Sequence, residues 1–574
     1  MSTIVFNGRT ITQPGAYDAT DTSGLTVNST SSVNIPIVIG QADSGTPGKL
    51  LWYSSASAVE DDLISGDLVT AAKLMFSPVP EGGGGVSTMG VIIVNNSTKA
   101  TLTSGGLQLT ATRYGEYGNQ IQAKMEDGTI AGSKKITLYR WDTSNLEVFD
   151  NLGAVFKLTY TGSSAYAGVA VTVTNGQATQ IQTKVGTDAG SAAVDVTVDL
   201  TNSRYATLED VVSYFNSISG YTAEYVNYSR NADLSAVLLD SVSDVNIKSG
   251  AYLMALKGDI EKQLGDYSTL VDATVTGTPA NFGYSYLSGA VKGDVPASWA
   301  DYFALARSAF SDVLVVLSSS EAIHAEALAH VQEMENRKQK QVLFTGGDVG
   351  ESITRVKQRA ATLNSSRAVL CYPGIYHKSV GDGKKALPAY FTGAMVAGRV
   401  CGVESSEPIT FDYFNLIGLE VDLIEGDPSI GDLINSGVCT LERVQNGAIR
   451  LVQGVTTYLG ATDVVFKEIS IRRGSDKVSS IMRKGLEDAF VGNKGLPATA
   501  SAVVTKATDI LDKAIDDDDI TAYRNIVVKF DGDHVYVDYE VAYVEPINFV
   551  LLTSHFIQDT SITAISDTDQ NAQV

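Results

Sequence analysis

The stretch "DVLVVLSSSEAIHAEALAHVQEMENRKQKQVLFTGGDVGESITRVKQRAATLNSSRAVLCYPG" (312–374) alternates short apolar runs with longer amphipathic segments. The apolar runs are typical of buried strands, and the longer segments are typical of helices. We predict strands at 312–318, 341–347 and 367–374, with helices at 320–338 and 351–363 between them. Strands that alternate with helices are joined by right-handed crossovers, so this stretch predicts an α/β fold with a mostly parallel sheet.

The same texture occurs on both sides of this stretch. "VNIPIVIG" (33–40) and "MGVIIVN" (89–95) predict two more buried strands, and "LPAYFTGAMVAGRV" (387–400) predicts a further helix. A chain of 574 residues is too long for one hydrophobic core, so we expect several domains. The main domain is predicted to be a mixed α/β core assembled from N-terminal and C-terminal parts of the chain.

The middle of the chain, at about 101–295, is rich in Thr, Ser, Gly, Val and Tyr. Alternating runs such as "KITLYRW" (135–141) and "VAVTVTNGQ" (169–177) predict half-buried strands, with a hairpin turn at Asn175–Gly176. One helix is predicted in this region, at 207–218. We interpret it as one or two β-rich inserted domains on the outside of a larger object.

The C-terminal region ends in "VYVDYEVAYVEPINFVLLTSH" (535–555), in which apolar and charged residues alternate as far as Tyr543. This alternation is typical of a half-buried strand. We predict a hairpin in which 522–530 pairs with 534–543, preceded by helices at about 462–485 and 499–516.

Composition excludes several classes of protein. The chain is 44% hydrophobic with a formal net charge of −23, and such a surface repels phosphate backbones, so no nucleic-acid binding is expected. Its apolar runs are shorter than the roughly 20 residues that span a bilayer, and the N-terminus shows no secretory signal, so no direct membrane insertion is expected. Cys371, Cys401 and Cys439 are predicted to be reduced and buried.

The chain offers few candidates for chemistry. Its five histidines (324, 330, 377, 534 and 555) form no HExxH motif, and neither GxSxG nor a Walker A motif occurs. "LFTGGDVGES" (343–352) could cradle a phosphate, but a plain βα turn explains its glycines. "DDDD" (516–519) could bind a divalent cation, but we interpret it as a solvated helix end. No catalytic residue, cofactor or metal site is predicted, and we expect a protein that is not an enzyme.

Several segments, in order, resemble the contractile tail sheath proteins of bacteriophages and related injection systems. "QPGAY" followed by "VNIPIVIGQADSGTPGK" resembles the opening of that family, and "RYGEYGNQI" resembles the segment that leads into its variable region. "PAYFTGAMVAGRVCGVESSEPITFDYFNLIGLEVDL", "LINSGVCTLERVQNGAIRLVQGVTT" and "YVEPINFVLLTSHF" resemble later segments. They occupy 13–17, 33–49, 113–121, 388–423, 433–457 and 543–556.

The resemblance implies a structural role without catalysis. Such sheaths polymerise as stacked hexameric rings around a tail tube, and they contract to drive the tube through the host envelope. Their terminal arms add strands to the sheets of neighbouring subunits. The implied partners are further copies of the chain, the tail tube protein, and the baseplate and tail terminator proteins. The implied location is the virion tail, assembled in the host cytoplasm.

The resemblance and the sequence texture together predict a domain division. The predicted parts are an N-terminal arm at 1–25, the first part of the core at 26–100, β-rich inserted outer domains at 101–295, an α/β domain at 296–430, a C-terminal inner core domain at 431–546, and a C-terminal arm and polar tail at 547–574.

Both arms are predicted to contact other subunits. The strand-like segment 3–17 shows no obvious local partner before residue 33, and 547–557 follows Pro546 as a separate apolar run. A strand without a partner has adhesive edges, and adding it to another sheet gives affinity through main-chain hydrogen bonds. The predicted arm contacts are Ile4, Val5, Phe6, Thr10, Ile11, Tyr17, Phe549, Val550, Leu551, Leu552 and Phe556.

A local basic excess at 466–495 predicts a surface that faces the tube. Its candidates are Arg472, Arg473, Lys477, Arg483 and Lys484. A solvated helix face explains the same charges. Two other functions also stay open at this point, namely a non-contractile surface or adhesive protein that uses the β-rich region, and an α/β enzyme that uses the 343–352 loop.

Overall fold

The computed structural model places most of the chain. The described residues are 4–6, 9–11, 34–141, 143–462, 464–492, 497–531 and 534–555. Among the helices of these ranges, none is both long and apolar enough to cross a bilayer.

The first part of the chain contributes short strands and two helices. They are β1 (Ile4–Phe6), β2 (Arg9–Ile11), β3 (Pro36–Gly40), β4 (Leu50–Tyr53), α1 (Ala56–Leu63), α2 (Asp67–Phe76) and β5 (Met89–Ile93).

The middle of the chain is mostly β-structure. It contains β6 (Thr101–Ser104), β7 (Leu107–Ala111), β8 (Ile121–Asp127), β9 (Lys134–Arg140), β10 (Asn145–Leu152), β11 (Ala154–Tyr160), β12 (Tyr166–Thr174), β13 (Gln177–Gly186), β14 (Ala193–Asp199), α3 (Leu208–Ser217), β15 (Tyr221–Tyr225), α4 (Tyr228–Asn231), β16 (Val242–Asn246), β17 (Ala251–Met254), α5 (Leu256–Tyr267), β18 (Val271–Val275) and β19 (Phe282–Tyr286).

Helices and strands then alternate again. The elements are α6 (Ala300–Ala306), β20 (Val313–Val316), α7 (Glu321–Asn336), β21 (Val342–Gly346), α8 (Ile353–Leu363), β22 (Ala368–Tyr372), β23 (Ile375–Tyr376), α9 (Ala389–Cys401), β24 (Tyr413–Phe414), β25 (Gly418–Leu419), α10 (Pro428–Asn435), β26 (Val438–Arg443), β27 (Ile449–Leu451), α11 (Ile469–Phe490), α12 (Pro497–Asp516), β28 (Ile520–Asp531) and β29 (His534–Tyr543).

A nine-stranded sheet forms the core, in the order β24-β27-β26-β22-β21-β20-β3-β5-β4. The strands from β26 to β5 are parallel, and the strands outside them pair antiparallel with their neighbours. β3 lies between β20 and β5, so strands from distant parts of the chain share one sheet. The predicted α/β core with a mostly parallel sheet, built from two parts of the chain, is confirmed.

Helices cover both faces of this sheet. Val38 points into an apolar layer that contains residues of α2 and α9, such as Met75 and Met395. Its neighbours Ile37 and Ile39 point into the opposite layer, which contains residues of α6, α7 and α8. Because successive side chains of a strand point to opposite faces, a strand buried on both faces is apolar throughout. This explains the continuous apolar runs in the sequence.

Helix α9 packs unusually close to its neighbours because it carries glycine at the contacts. A Cβ at Gly398 would lie 2.5 Å from the Cα of Met75 in α2, and one at Gly393 would lie 2.8 Å from the carbonyl oxygen of Thr345 in β21. Real Cβ atoms do not approach backbone so closely, so only glycine permits this packing. The helix predicted at 387–400 is found at Ala389–Cys401.

The three cysteines are buried and free, as predicted. Cys371 and Cys439 are paired neighbours on β22 and β26, and both point into the layer that contains α9. Burial raises the pKa of the Cys371 thiol well above its ordinary value.

The middle of the chain folds into four antiparallel sheets. Their strand orders are β10-β9-β8-β19, β15-β11-β17, β14-β13-β12-β16 and β18-β7-β6. They share two hydrophobic clusters that are separate from the core layers, one around Phe156 and Phe215 and the other around Leu109 and Leu138. The predicted hairpin turn is present, with φ of 54° at Asn175 and 79° at Gly176 between β12 and β13.

One helix was predicted in this region, but its described residues form three, α3, α4 and α5. The helix expected at 207–218 is present as α3, and Thr207 and Asp210 form its capping box. Helix α5 was not predicted, because its inward face carries polar side chains that obscure the apolar period. Its Asp259 is fully buried and accepts hydrogen bonds from the Gly153 amide (2.6 Å) and Asn231 Nδ2 (2.9 Å).

Two histidines are structural parts of the core. His324 on α7 is buried, and its Nε2 lies 2.7 Å from the carbonyl oxygen of Ser318, to which it donates. His330 stacks on Phe303 with ring centroids 5.5 Å apart, and its Nε2 lies 3.1 Å from Gln341 Oε1. Burial lowers the pKa of each imidazole to about 4. Both are therefore neutral at pH 7.

These pKa values predict how core stability depends on pH. A histidine whose pKa is lower in the folded state stabilises the fold fully above its unfolded value near 6.5, and that contribution is lost as pH falls towards 4. Between pH 7 and pH 5, each histidine should lower the free energy of unfolding by about 2 kcal/mol. His324→Gln, which can still donate to Ser318, should show about 2 kcal/mol less loss than the unmodified chain. Native-state hydrogen exchange of the β20 and β21 amides measures this difference.

The matched control is His555→Gln, because His555 is exposed. It should leave the pH dependence of exchange unchanged. Equal pH dependence in the unmodified chain and in His324→Gln would contradict the assignment of His324 as a buried neutral group.

Candidate assembly surface

The C-terminal hairpin is present where it was predicted. β28 and β29 pair antiparallel, from Ile520 opposite Tyr543 to Asp531 opposite His534. They form a two-stranded sheet by themselves. Within the described residues, the outer edge of each strand therefore has no strand beside it.

The two ends of the hairpin differ in their surroundings. Tyr539, Val541 and Tyr543 on β29 pack with α11 and α12, whose contact includes Met482 and Leu511. Towards the turn the hairpin extends beyond this contact, and its apolar side chains become exposed. These are Val527, Phe530, Val535 and Tyr536, with exposed fractions between 39% and 52%.

The segment after Pro546 is exposed in the described part of the chain. Ile547, Phe549, Val550, Leu551 and Leu552 are each at least 81% exposed. No strand is assigned to residues 547–555. Exposed apolar residues in such density mark an interaction site or an aggregation hazard.

The start of this segment is fixed by a contact that the sequence did not reveal. Asn548 Nδ2 donates a hydrogen bond to Glu468 Oε1 (2.8 Å), and Glu468 is the residue that precedes α11. Gln453 also donates to this carboxylate. Burial raises the pKa of Glu468 above its ordinary value, against the effect of these two hydrogen bonds.

The N-terminal segment contradicts one expectation. Residues 4–6 pair with 9–11 as β1 and β2, with Ile4 opposite Ile11. The sequence had suggested no local partner before residue 33, but β1 and β2 are partners of each other. Tyr17 and Phe556, two of the predicted arm contacts, lie outside the described residues.

Three of the five predicted tube-facing cations are directed into the protein. Arg473 is 5% exposed, and it donates to the Val400 carbonyl (2.6 Å) and lies 3.3 Å from Asp312. Lys477 lies 2.7 Å from Asp519, which is 1% exposed.

The third inward-directed cation belongs to a cluster around Asp476 on α11. Arg472 lies 2.5 Å from Asp476, and Arg367 donates two hydrogen bonds to the same carboxylate, at 2.8 and 3.0 Å. Arg367 also contacts Glu335 at 2.6 Å. Burial alone would raise the pKa of Asp476, but these bonds and the nearby charge of Lys340 lower it below its ordinary value. Asp476 is therefore ionised, and the cluster fastens α11 to the core.

Arg483 and Lys484 remain on the surface of α11. Arg483 pairs with Glu487 one turn away at 2.9 Å, and its side chain is 41% exposed. The basic excess of the sequence thus becomes a much smaller exposed cationic surface, since internal carboxylates take the other three cations.

The two candidates for ligand chemistry are occupied by side chains of the protein. In the 343–352 loop the Gly350 amide donates to Glu420, and Glu351 pairs with Arg359. A phosphate would meet two carboxylates there. In 516–519, Asp519 is buried against Lys477 and accepts from Ser406 Oγ (2.8 Å), so the expectation of a wholly solvated helix end is wrong at this residue. No group of three or more metal-ligating side chains occurs among the residues described.

Comparisons with known proteins find tail sheath proteins of phages. No protein-family model matches the chain. It is 54% identical over 555 residues to the tail sheath protein of Bacillus phage SP01, covering 97% of each chain. It is 25% identical to the tail sheath protein of Staphylococcus phage Twort, over 98% of this chain and 100% of that one.

Solved structures share the fold. The sheath tail protein of Desulfitobacterium hafniense matches with a TM-score of 0.56 at 14% identity, covering 93% of this chain and 97% of that one. The sheath tail protein of Listeria innocua matches with a TM-score of 0.52 at 15% identity, covering 89% and 92%.

The contact between Lys477 and Asp519 predicts a large effect from a single substitution. Lys477→Met leaves a buried carboxylate without its cation, which should cost about 3 kcal/mol. Native-state hydrogen exchange of the α11 and α12 amides should accelerate by about two orders of magnitude. Arg483→Met, on the exposed side of the same helix, should change stability by less than about 0.5 kcal/mol. Equal effects of the two substitutions would contradict the inward placement of Lys477.

Proposed function

This chain belongs to the tail sheath proteins of bacteriophages, and we propose that its copies polymerise as stacked hexameric rings around a tail tube and contract to drive the tube through the host envelope. Its relatives are structural proteins rather than enzymes. The proposed location is the virion tail, after assembly in the host cytoplasm.

The observation that carries this proposal is the incomplete sheet at the C-terminus. A two-stranded hairpin is marginally stable alone in water, and more strands or a covering helix stabilise it. Here α11 and α12 cover one face, while both edges lack a strand within the described part of the chain. Beside it lies an apolar segment, 547–555, that no part of the described chain covers. Additional strands would stabilise the hairpin, and pairing with a sheet would cover the apolar segment.

Exchange between subunits supplies both needs. We assign residues 547–557 to the sheet of a neighbouring subunit, and residues of the N-terminal arm, including Ile4, Val5, Phe6, Thr10 and Ile11, to the sheet of another. The local pair β1–β2 would open or dock as a unit in this step. Contacts of this kind are heterologous, so they generate rings or filaments rather than closed dimers.

The same arrangement is compatible with contraction. Subunits of a contracting lattice must rotate while remaining connected. The ion pairs of α11 hold the hairpin to the core of its own subunit, so the hairpin moves with that core. The connections between subunits run through the arms, whose main-chain hydrogen bonds persist while the residues leading into them change direction.

Further partners follow from the proposal. Arg483 and Lys484 are the exposed candidates for contact with the tail tube protein. The ends of the sleeve would contact the baseplate at one side and the tail terminator protein at the other.

Truncation tests the exchange of the C-terminal arm. Deletion of 547–574 should leave the subunit folded but abolish polymers, because neighbouring hairpins lose an added strand. Deletion of 558–574 alone is the matched control and should leave polymers intact. Negative-stain microscopy and sedimentation measure assembly, and circular dichroism measures folding. Normal tubes from the chain lacking 547–574 would contradict the proposal.

Charge reversal tests contact with the tube. Arg483→Glu with Lys484→Glu should reduce assembly on isolated tubes, because two exposed cations become anions. The control reverses another exposed adjacent pair, Lys384→Glu with Lys385→Glu, and should assemble normally. Co-sedimentation of sheath with tubes gives the yield. Equal yields from both double variants would remove α11 from the tube interface.

A further inference from the structure

The outward face of the sheet β10-β9-β8-β19 carries several large apolar side chains that are exposed in the described part of the chain. Its exposed side chains include Trp141 (58%), Leu146 (58%), Val148 (50%), Tyr284 (55%) and Tyr286 (51%). We call this set, together with Tyr139, the aromatic face. Trp141 contacts Tyr139 edge to face, with ring centroids 5.1 Å apart.

The strand register places these residues in two rows across the sheet. In the first row Leu146, Tyr139, Gln122 and Tyr286 lie opposite one another on the four strands. In the second row Val148, Thr137 and Lys124 lie opposite one another, and the Lys124 ammonium lies 5.4 Å from the centre of the Tyr284 ring. The two rows run from one edge of the sheet to the other, with Gln122 and Lys124 on β8 between the apolar residues of β9 and β10 and the tyrosines of β19.

The opposite face of the same sheet is fixed to the protein. Ile121, Ala123 and Leu138 are fully buried in a hydrophobic cluster with residues of α5. Glu147 on β10 accepts hydrogen bonds from Ser268 Oγ (2.7 Å) and the Thr269 amide (3.0 Å). Because side chains alternate along a strand, these contacts hold Leu146 and Val148 outward. The exposure of the aromatic face is thus built into the register.

The size of the face exceeds a chance scatter of apolar residues. Five large side chains at half exposure or more present on the order of 500 Å². Exposed apolar surface of this size on one face of a protein commonly marks an interaction site. A stable interface covers about 800 Å² on each partner, so the patch would form most of one interface.

The charge around the face favours a second copy of this chain as its partner. Copies with a net charge of −23 repel one another, so contacts form most easily where the surface is neutral. Taken over both faces, the four strands balance their charges, with Lys124, Lys134, Lys135 and Arg140 against Glu126, Asp127, Glu147 and Asp150. On the aromatic face Lys124 pairs with Glu126 at 2.7 Å.

We propose that the aromatic face docks against a second copy of this chain in the assembled sheath. The inference rests on the proposed polymerisation, which places copies of the chain next to one another. It adds a contact made by side chains of the inserted region to the contacts made by the arms. Aromatic residues such as Trp141 and Tyr286 are enriched where two proteins meet.

A photo-crosslinking residue at position 146 tests the docking directly. In polymers of the full-length chain, irradiation should give a covalent dimer, and mass spectrometry of the crosslinked peptide should show this same chain as the partner. The control is the same residue at position 194, where Val194 is 55% exposed on another sheet of the inserted region. Crosslinks at 146 to another virion protein, or no crosslinks, would overturn the proposal.

Charge insertion gives an independent readout. Leu146→Lys with Val148→Lys should raise the critical concentration for polymerisation by about tenfold, which corresponds to about 1.4 kcal/mol per contact. Val194→Lys with Val245→Lys, also on exposed sites, should leave it unchanged. Unchanged polymerisation of the first variant would overturn the docking while leaving the arm exchange intact. If the unmodified chain forms no polymer, the proposed function itself fails.

Discussion

The carboxylate of Asp476 fixes helix α11 to the core sheet, and the position of everything that follows α11 depends on it. Arg367, at the start of β22, donates two hydrogen bonds to that carboxylate, and Arg473 on the same helix reaches Asp312 at the start of β20. Buried ion pairs add little net stability, because desolvation offsets attraction. They are, however, directional, and removing one partner is costly because the other charge is left buried and unpaired. Their effect here is to hold the hairpin in one orientation relative to the sheet.

The location of β3 explains how a large insertion leaves the core undisturbed. Because β3 pairs with both β5 and β20, the chain leaves the sheet after β5 and returns next to β3. Asn95, fully buried just after β5, links the segments in which the chain leaves the core and returns to it. Its Nδ2 donates to the carbonyls of Ala42 (2.9 Å) and Lys292 (2.6 Å). The cost of closing a loop rises slowly with its length, so the size of the insertion matters little once its ends are fixed.

The sequence predicted what local pattern determines. Apolar runs placed the parallel strands, and alternation placed the hairpin 520–543 to within a few residues. It could not predict partners that are distant along the chain. The cations of α11 suggested an exposed basic surface, but Lys477 and Arg473 meet Asp519 and Asp312, and no spacing rule links those residues. The tether between Asn548 and Glu468 had no sequence signal for the same reason.

Charge imposes a final constraint on how such a chain assembles. Copies that each carry −23 repel at any separation within a Debye length, about 8 Å at physiological salt. The segments proposed to join them avoid this cost. Residues 547–555 contain no acidic or basic side chain apart from His555, and main-chain hydrogen bonds carry no net charge. The four strands of the aromatic face balance their charges. Repulsion between acidic residues elsewhere keeps free subunits apart in solution. The neutral segments are the places where two copies can approach without that repulsion.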